Sequence, residues 1–293
     1  MATIRQLKRR IASVKNTAKI TNALQLVAAS KMRRAQDRAL QAKPYAEKLR
    51  TVIAGLAAQS SDDGQPRHPL LVSRPVQNIG ILHITPDRGL CGGLNANLNR
   101  SAGTFVAMQQ EPVSVIAVGK KGRDFFARAH VPVIAEFTGL GDYPTQADTS
   151  GITRLVIDDY LNGTIDRVYI SFPELISTAV QRPVIRQILP IEPPEMESEE
   201  AALAFGEDYI FEPSPKEVLE QLLPRYVEMQ IYEAILQNAA SFQSAQMVAM
   251  KNATDNANEI VRELTLTYNK ARQEQITKEL LDIVGGAAAL EEA

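Results

Sequence analysis

Apolar side chains recur every three or four positions along a long stretch at the start of the chain. The pattern resumes after Pro44 and ends near residue 57, and Thr3 with Gln6 forms a capping box in front of it. A seam of this spacing predicts one helix from Ile4, about 54 residues and roughly 80 Å long if straight, with a bend or weak point at Pro44. Its predicted apolar positions are Ile4, Leu7, Ile11, Val14, Ala18, Ile20, Leu24, Val27, Tyr45, Leu49, Val52 and Leu56.

A second helical pattern fills the last part of the chain. Ser214 is a good N-cap, Pro215 suits the first helical position, and Glu217 completes a capping box. The pattern continues to about Val284, where Gly285-Gly286 is expected to end it.

Small residues mark one side of this second helix. Alanines recur four apart at Ala245, Ala249, Ala253 and Ala257, and the stretch LVAAS at residues 26–30 of the first helix is a suitable partner for them. Such side chains allow two backbones to approach closely. We therefore predict that the terminal helices pair as an antiparallel coiled coil.

The middle of the chain changes to short β-branched runs separated by helical patterns. The alternation predicts a mostly parallel sheet flanked by helices, with the last strand at an edge because it contains Pro183. The predicted strands are residues 78–85, 113–119, 131–137, 166–172 and 180–190, and the predicted helices are 94–109, 120–129 and 148–162.

The fold class is therefore α/β: a Rossmann-like domain attached to a long antiparallel coiled coil. Turn-forming residues at 60–69 and an acidic, proline-containing stretch divide the chain into segments. We place the first shaft helix at 1–59, the α/β domain at 70–192, an acidic linker and foot loop at 193–213, and the second shaft helix at 214–293.

Charge is distributed unevenly although the formal net charge is only -2. Residues 1–50 contain thirteen Lys and Arg against two acids, about +11, whereas residues 191–220 contain ten acids against one lysine. A basic arm of this kind favours an anionic partner. Its composition is also typical of an organelle transit peptide, but the apolar period continues through it, so we interpret it as mature structure.

The sequence contains no motif that predicts catalysis. The glycine-rich TPDRGLCGGLN (residues 85–95) lacks the dinucleotide-binding order, and VGKKGRD (118–124) lacks the first glycine and the hydroxyl residue of a P-loop. Cys91, the single cysteine, is predicted to be a passive and partly exposed thiol, and three scattered histidines make a metal site a poor hypothesis. We predict a non-enzyme with no cofactor and no metal, and no apolar run reaches the ~20 residues needed to span a bilayer.

Three stretches together resemble one known family. They are IRQLKRRIASVKNTAKITNALQLVAASKMRRAQ (residues 4–36), DRGLCGGLNANL (87–98) and the long C-terminal stretch at 249–290 that contains ITKELLDIVGGA. In this order they resemble the gamma subunit of the rotary F-type ATP synthase, and the single cysteine favours a bacterial type over the chloroplast type with its thiol switch.

The resemblance implies a function and a set of partners. The terminal helices would be the rotor shaft inside a hexamer of alpha and beta subunits, coupling proton-driven rotation of the membrane c-ring to ATP synthesis or hydrolysis on the beta subunits, and regulating ATPase activity and proton flow. The alpha and beta subunits, the epsilon subunit and the c-ring would be its partners. The subunit would lie at the cytoplasmic face of the bacterial cell membrane, peripheral and not inserted.

The resemblance also implies which residues meet those partners. Positions that match the contacts with the catch loops and lever segments of the catalytic subunits are Arg272, Gln273, Thr277, Glu279, Lys31, Arg33 and Arg34. Tyr209 and Glu212 match the foot that rests on the membrane ring. For each of these residues the alternative is a solvated helix surface.

Two other functions remain open from the residues alone. The basic arm is compatible with a nucleic-acid-binding coiled coil, which would bind with steep salt dependence but has no aromatic interleaving to support it. A Rossmann-like sheet is compatible with a nucleotide-dependent enzyme, which would require the phosphate loop that both candidates lack.

Overall fold

The computed structural model describes residues 3–59, 68–192, 212 and 214–291. The helices are α1 (Ile4–Gln59), α2 (Leu94–Met108), α3 (Lys120–Arg128), α4 (Gln146–Leu161) and α5 (Pro215–Glu291). The strands are β1 (Ile79–Ile84), β2 (Val113–Val118), β3 (Val133–Phe137), β4 (Arg167–Leu175) and β5 (Gln181–Leu189), and a short 3-10 turn covers Pro69–Leu71. The predicted order of elements is confirmed.

The five strands form one sheet in the order β3-β2-β1-β4-β5. β1 pairs in parallel with β2 and β4, and β2 with β3, while β5 pairs antiparallel to β4 at the edge. The edge position predicted from Pro183 is confirmed, and Pro183 lies opposite Pro173 of β4. The fold class is thus α/β with a mostly parallel sheet.

Both faces of the sheet are covered. On one face, Leu82 and Ile116 belong to a cluster with Ile53 of α1 and Leu223 of α5, all fully buried. On the other face, Ile81 packs with buried side chains of α2 and α3, among them Phe126. Parallel strands buried on both sides are mostly apolar, which is why β1 (IGILHI) and β2 (VSVIAV) lack a regular alternation of apolar and polar residues.

The helix starts follow the predicted caps. The Gln6 backbone N–H donates to Thr3 Oγ1 at 3.3 Å, and the Thr3 N–H donates to Gln6 Oε1 at 3.0 Å. At α5 the Glu217 N–H donates to Ser214 Oγ at 3.3 Å. The capping box of α1 is therefore confirmed, and so is Ser214 as the N-cap of α5, where the Ser214 hydroxyl itself donates to Glu217 Oε1 at 3.3 Å. Each cap satisfies an N–H group that the helix cannot bond itself.

The predicted end of α5 is wrong. The helix does not stop at Gly285-Gly286 but continues to Glu291. Gly285 has no left-handed φ, so the backbone geometry that ends a helix is absent there. Three alanines follow, and alanine has the highest helix propensity. Pro44 and Pro224 likewise lie inside their helices.

Internal contacts group the chain into two compact units. One contains the residues up to Ala28 and those from Met247 onward; the other runs from Ala29 to Gln246 and includes the sheet. We call them the helical unit and the sheet unit and describe each by itself. The division at 1–59, 70–192, 193–213 and 214–293 stays a prediction.

Candidate functional site: the helical unit and the carboxyl edge of the sheet

The helical unit is an antiparallel helix pair with a regular seam. The hydroxyl oxygens of Thr21 and Thr254 are 2.7 Å apart across the pair. Buried or half-buried side chains alternate at spacings of three and four on both helices, as in a heptad repeat. The seam positions are Ile4, Leu7, Ile11, Val14, Ala18, Thr21, Gln25 and Ala28 on α1 and Met250, Thr254, Ala257, Val261, Leu264, Tyr268 and Ala271 on α5, and the predicted position Leu24 is half-buried beside them, as are Ala253 and Thr265.

This seam corrects the prediction for two apolar positions of α1. Ile20 and Val27 are 61% and 51% exposed, because the seam steps from Ala18 to Thr21 and Ala28 instead. The alanine stripe follows the seam only in part: Ala257 is a buried seam position, while Ala253 is half-buried beside Thr254, because a strict spacing of four drifts relative to a 3.5-residue repeat. Several seam positions carry polar or small residues, so the hydrophobic periodicity alone did not predict the correct register.

Beyond the paired region, α5 presents an exposed end. If Thr21 lies opposite Thr254, the antiparallel register places Ile4, the first residue of α1, opposite Ala271. Every side chain from 272 to 285 is exposed. This segment, the exposed tip, contains large apolar side chains that are 44% to 68% exposed: Ile276, Leu280, Leu281, Ile283 and Val284. Adjacent apolar residues in water are typical of a surface that another protein covers.

The four predicted contact residues of α5 lie on this tip. Arg272, Gln273, Thr277 and Glu279 are all exposed. Thr277 Oγ1 donates to the Gln273 carbonyl at 2.9 Å, and Gln275 Nε2 donates to Glu279 Oε1 at 2.8 Å. Both bonds lie within α5 and leave the side chains exposed, so a partner protein can reach them.

The predicted contact residues of α1 lie in the sheet unit. Lys31 Nζ is 2.7 Å from Asp142 Oδ2, so its charge is partly compensated within the chain. Arg34 Nη2 donates to Ser30 Oγ at 3.2 Å, and Arg33 is exposed. Of the foot residues, Glu212 is exposed, whereas Tyr209 lies outside the described residues.

The carboxyl edge of the sheet is where Rossmann-like folds bind phosphates, at the N-terminus of a helix. Here a side chain of the chain itself occupies that position. Asp87 Oδ1 accepts the Lys120 N–H that opens α3, and Asp87 Oδ2 accepts the Gly139 N–H, both at 2.9 Å. The next two donors are also bonded, the Lys121 N–H to the Pro86 carbonyl at 3.4 Å and the Gly122 N–H to Thr85 Oγ1 at 2.8 Å. With these N–H groups already bonded, the geometry does not favour nucleotide binding there.

A cleft of about 240 Å³ opens beside this edge. It lies between the loops after β1, β2 and β3 and one face of α5, which contributes Asn238, Phe242 and Gln243. The buried oxygens Asn238 Oδ1 and Gln243 Oε1 have no hydrogen-bond partner among the described residues. Gln243 Nε2 donates to Asp142 Oδ1 at 3.1 Å.

Sequence reasoning missed Asp87 and Asp142, the two carboxylates that organise this edge. Their partners are backbone N–H groups and side chains that lie between 33 and 111 positions away along the chain. The local sequence gives an indication only for Asp142, which follows two glycines, Gly139 and Gly141. Both adopt a left-handed φ in the structure. Such glycines mark a tight loop, but not what its acid binds.

Cys91 is not partly exposed as predicted. It is buried against Leu94, Leu98, Phe242 and Ala245, where α5 covers the loop after β1. Asn95 Nδ2 lies 3.3 Å from its sulfur, and burial raises the pKa of the thiol. A buried thiol with a raised pKa is less reactive, which agrees with the predicted passive role.

The described residues offer neither a metal site nor a helix that could span a membrane. No group of three or more His, Cys, Asp or Glu side chains is disposed to hold a metal ion. None of the helices combines the length and apolarity required to cross a bilayer.

The long terminal helices and the α/β domain define a fold that solved structures of ATP synthases share. They include the OSCP/F1/c-ring assembly of Euglena gracilis mitochondrial ATP synthase, in which one chain matches with 19% identity and a TM-score of 0.67, over 98% of this chain and 94% of that one. The central stalk and c-ring of Tetrahymena thermophila mitochondrial ATP synthase match with 20% identity and a TM-score of 0.60, over 80% of this chain and 99% of that one.

Sequence comparison makes the assignment specific. The family profile described as ATP synthase matches residues 3–290. The ATP synthase gamma chain of Dehalococcoides mccartyi is 56% identical over 290 residues, 99% of this chain and 100% of the relative, and that of Roseiflexus sp. is 49% identical over the full length of both. The chain belongs to the gamma-chain family of the F-type ATP synthase. The comparisons give the nucleic-acid alternative no support.

Proposed function

We propose that this chain is the rotating central shaft of a bacterial F-type ATP synthase. It couples proton-driven rotation of the membrane c-ring to ATP synthesis or hydrolysis on the beta subunits, and thereby regulates ATPase activity and proton flow. The chain itself is a non-catalytic subunit and works at the cytoplasmic face of the cell membrane as a peripheral part of the complex. The observation that carries the proposal is the exposed tip, a fully exposed helix end with apolar side chains beyond a completed seam.

The physical basis of coupling is differential contact. A shaft that presents a different face to each of three identical catalytic sites stabilises a different conformation in each of them. Moving one site from mostly open to mostly closed requires about 5.5 kcal/mol of difference in contact free energy. A few charged and packed contacts for each face are sufficient for this.

We assign these contacts to the residues that the resemblance indicated. Arg272, Gln273, Thr277 and Glu279 on the tip are proposed to meet the catch loops of the alpha and beta subunits, and Lys31, Arg33 and Arg34 their acidic lever segments. Tyr209 and Glu212 are proposed to rest on the polar loops of the c-ring, and the α/β domain to bind the epsilon subunit. Except for Lys31, which is half-buried against Asp142, the described members of this set are exposed, and this exposure supports the assignment.

The test is a truncation of the tip in the reconstituted complex. A chain that ends after Arg272 is compared with the full chain and with a chain that lacks only residues 287–293. ATP hydrolysis and ATP-driven proton pumping are measured together. We expect the longer truncation to assemble and hydrolyse ATP but to pump fewer protons for each ATP. A chain that neither assembles with alpha and beta subunits nor changes their activity would contradict the proposal.

A further inference from the structure

The loop between β3 and α4, residues 138–145, contacts three other segments of the sheet unit through one carboxylate. Asp142 Oδ2 accepts from Lys31 Nζ of α1 at 2.7 Å, and Asp142 Oδ1 accepts from Gln243 Nε2 of α5 at 3.1 Å. Asp142 Oδ1 also forms an ion pair with Arg88 of the loop after β1. The two long helices and the sheet domain therefore meet at a single side chain.

The next residue of the loop adds contacts to α1. The ring centroid of Tyr143 is 4.7 Å from the guanidinium carbon of Arg38 and 5.9 Å from that of Arg34. Arg34 and Arg38 are one helical turn apart, so they lie on the same side of α1 as the aromatic ring. On the α5 side, the Arg88 guanidinium that pairs with Asp142 is 5.6 Å from the centroid of Phe242.

These contacts differ from an ordinary surface ion pair in their burial. The side chains of Asp142 and Lys31 are only 18% and 30% exposed, whereas the Arg154–Asp158 pair on α4 is 85% and 56% exposed. Exposed pairs contribute little because water screens them, while partly buried, charge-assisted hydrogen bonds are stronger and fix geometry. The flanking glycines, Gly139 and Gly141, have φ of 80° and 77°, which lets the loop turn its acid toward the helices.

We propose that Asp142 and Tyr143 form a helix clamp, a positioning element that fastens α1 and α5 to the α/β domain so that a load on the domain reaches both helices. This inference rests on the proposed function as a rotor. It assigns to the β3–α4 loop a role in transmitting torque that is separate from any contact with the alpha and beta subunits. Lys31, which forms an ion pair with Asp142, then has two roles: one in the clamp and one in the proposed contact with the alpha and beta subunits.

The test uses the reconstituted membrane-bound complex with the full chain carrying Asp142→Asn. Asparagine has the same size and still accepts from Gln243, but it loses the charge that Lys31 and Arg88 bind. We expect proton pumping for each ATP hydrolysed to fall by about threefold, within the range for members of one hydrogen-bonded network, while hydrolysis itself changes less. Arg154→Gln, which removes only the exposed pair with Asp158, is the matched control and leaves the ratio unchanged.

A second arm separates the clamp from the proposed partner contact of Lys31. Lys31→Met is measured alone and together with Asp142→Asn. If Lys31 acts through the clamp, its substitution adds little in the Asp142→Asn background. A full additional loss there would show that Lys31 acts on the alpha and beta subunits instead and would overturn its place in the clamp.

Hydrogen exchange of the same complexes reports on the loop directly. Asp142→Asn is expected to speed amide exchange at 138–145 and to leave β1 and β2 protected. An unchanged ratio of pumping to hydrolysis with faster exchange would overturn the clamp as a coupling element. If the clamp variant pumps normally while the tip truncation uncouples, the clamp fails and the rotor function stands; if the intact complex never couples hydrolysis to pumping, the rotor function fails.

Discussion

Two single residues near the carboxyl edge of the sheet, Gly119 and His83, occupy positions that accept few other side chains. Gly119 ends β2 with φ of 94°, and a Cβ built there would lie 1.9 Å from the Thr85 carbonyl oxygen. His83 is fully buried in β1 and lies 3.1 Å from Ser171 Oγ and 3.0 Å from Asn99 Oδ1 through its two ring nitrogens. Gly119 thus allows the close approach of the chain after β2 to the end of β1, and His83 connects β1 to β4 and α2.

Gly119→Ala is expected to destabilise the sheet unit by about 3 kcal/mol or more, because strain at positive φ adds to a backbone clash. Gly139→Ala is the matched control: its φ is also positive, at 80°, but no atom lies within 4 Å of the added Cβ. It should cost about 1 kcal/mol. Urea unfolding of the two variants measures the difference, and equal costs would contradict the role of the close approach to Thr85.

The buried histidine predicts a pH dependence of stability. Desolvation lowers the pKa of His83 from 6.5 to about 4 in the folded chain. The unfolded chain therefore binds a proton first, so the stabilisation is complete above pH 6.5 and is lost as the pH falls toward 4, by up to about 3 kcal/mol. Urea midpoints at pH 7, 6 and 5 should fall for the natural chain and fall less for His83→Gln. Equal slopes would show that other groups control the acid sensitivity.

At the scale of elements, the two long helices were predictable and their register was not. Capping residues and apolar spacing predicted where each helix begins, because those signals act within one turn. The seam, however, includes Thr21, Gln25 and Thr254, whose polar side chains interrupt the hydrophobic pattern. Whether Ile20 and Val27 or Thr21 and Ala28 face the seam depends on the side chains of the partner helix.

The seam predicts a difference between two alanines of α5. Ala257→Leu places a large side chain in the closed seam and should destabilise the helix pair by about 1–3 kcal/mol. Ala253→Leu, at a half-buried flanking position, should cost less. Thermal unfolding followed by circular dichroism at 222 nm compares them. A larger effect at Ala253 would favour the alanine stripe over the heptad seam.

Asp87 links two elements, the start of α3 and the loop after β3, in the place of a bound anion. Asp87→Ala should destabilise the sheet unit by about 2 kcal/mol, because two N–H groups lose a charged acceptor. Inorganic phosphate should restore part of this stability, since it fits the vacated helix N-terminus. Asp158→Asn, on the exposed face of α4, is the control that phosphate leaves unchanged. The absence of any phosphate effect would contradict the comparison with an anion site.

For the whole molecule, the exposed tip is the feature that requires a partner. Outside its complex the chain is expected to self-associate, since five large apolar side chains of the tip are in water. Removing residues after Arg272 should lower the association, and assembly with alpha and beta subunits should suppress it. Light scattering of the full and truncated chains measures this, and equal scattering would place the association elsewhere in the molecule.

The sequence by itself determined the features that depend on neighbours along the chain. Strands with apolar runs, capped helices, the edge strand with Pro183 and the family resemblance all follow from residues close together in sequence. Tertiary structure decided the features that depend on distant residues. These features are the seam register, the burial of Cys91, the position of the Asp87 carboxylate at a helix N-terminus and the contacts that meet at Asp142. Each depends on residues far apart in sequence, and local hydrophobic patterns do not predict such pairs.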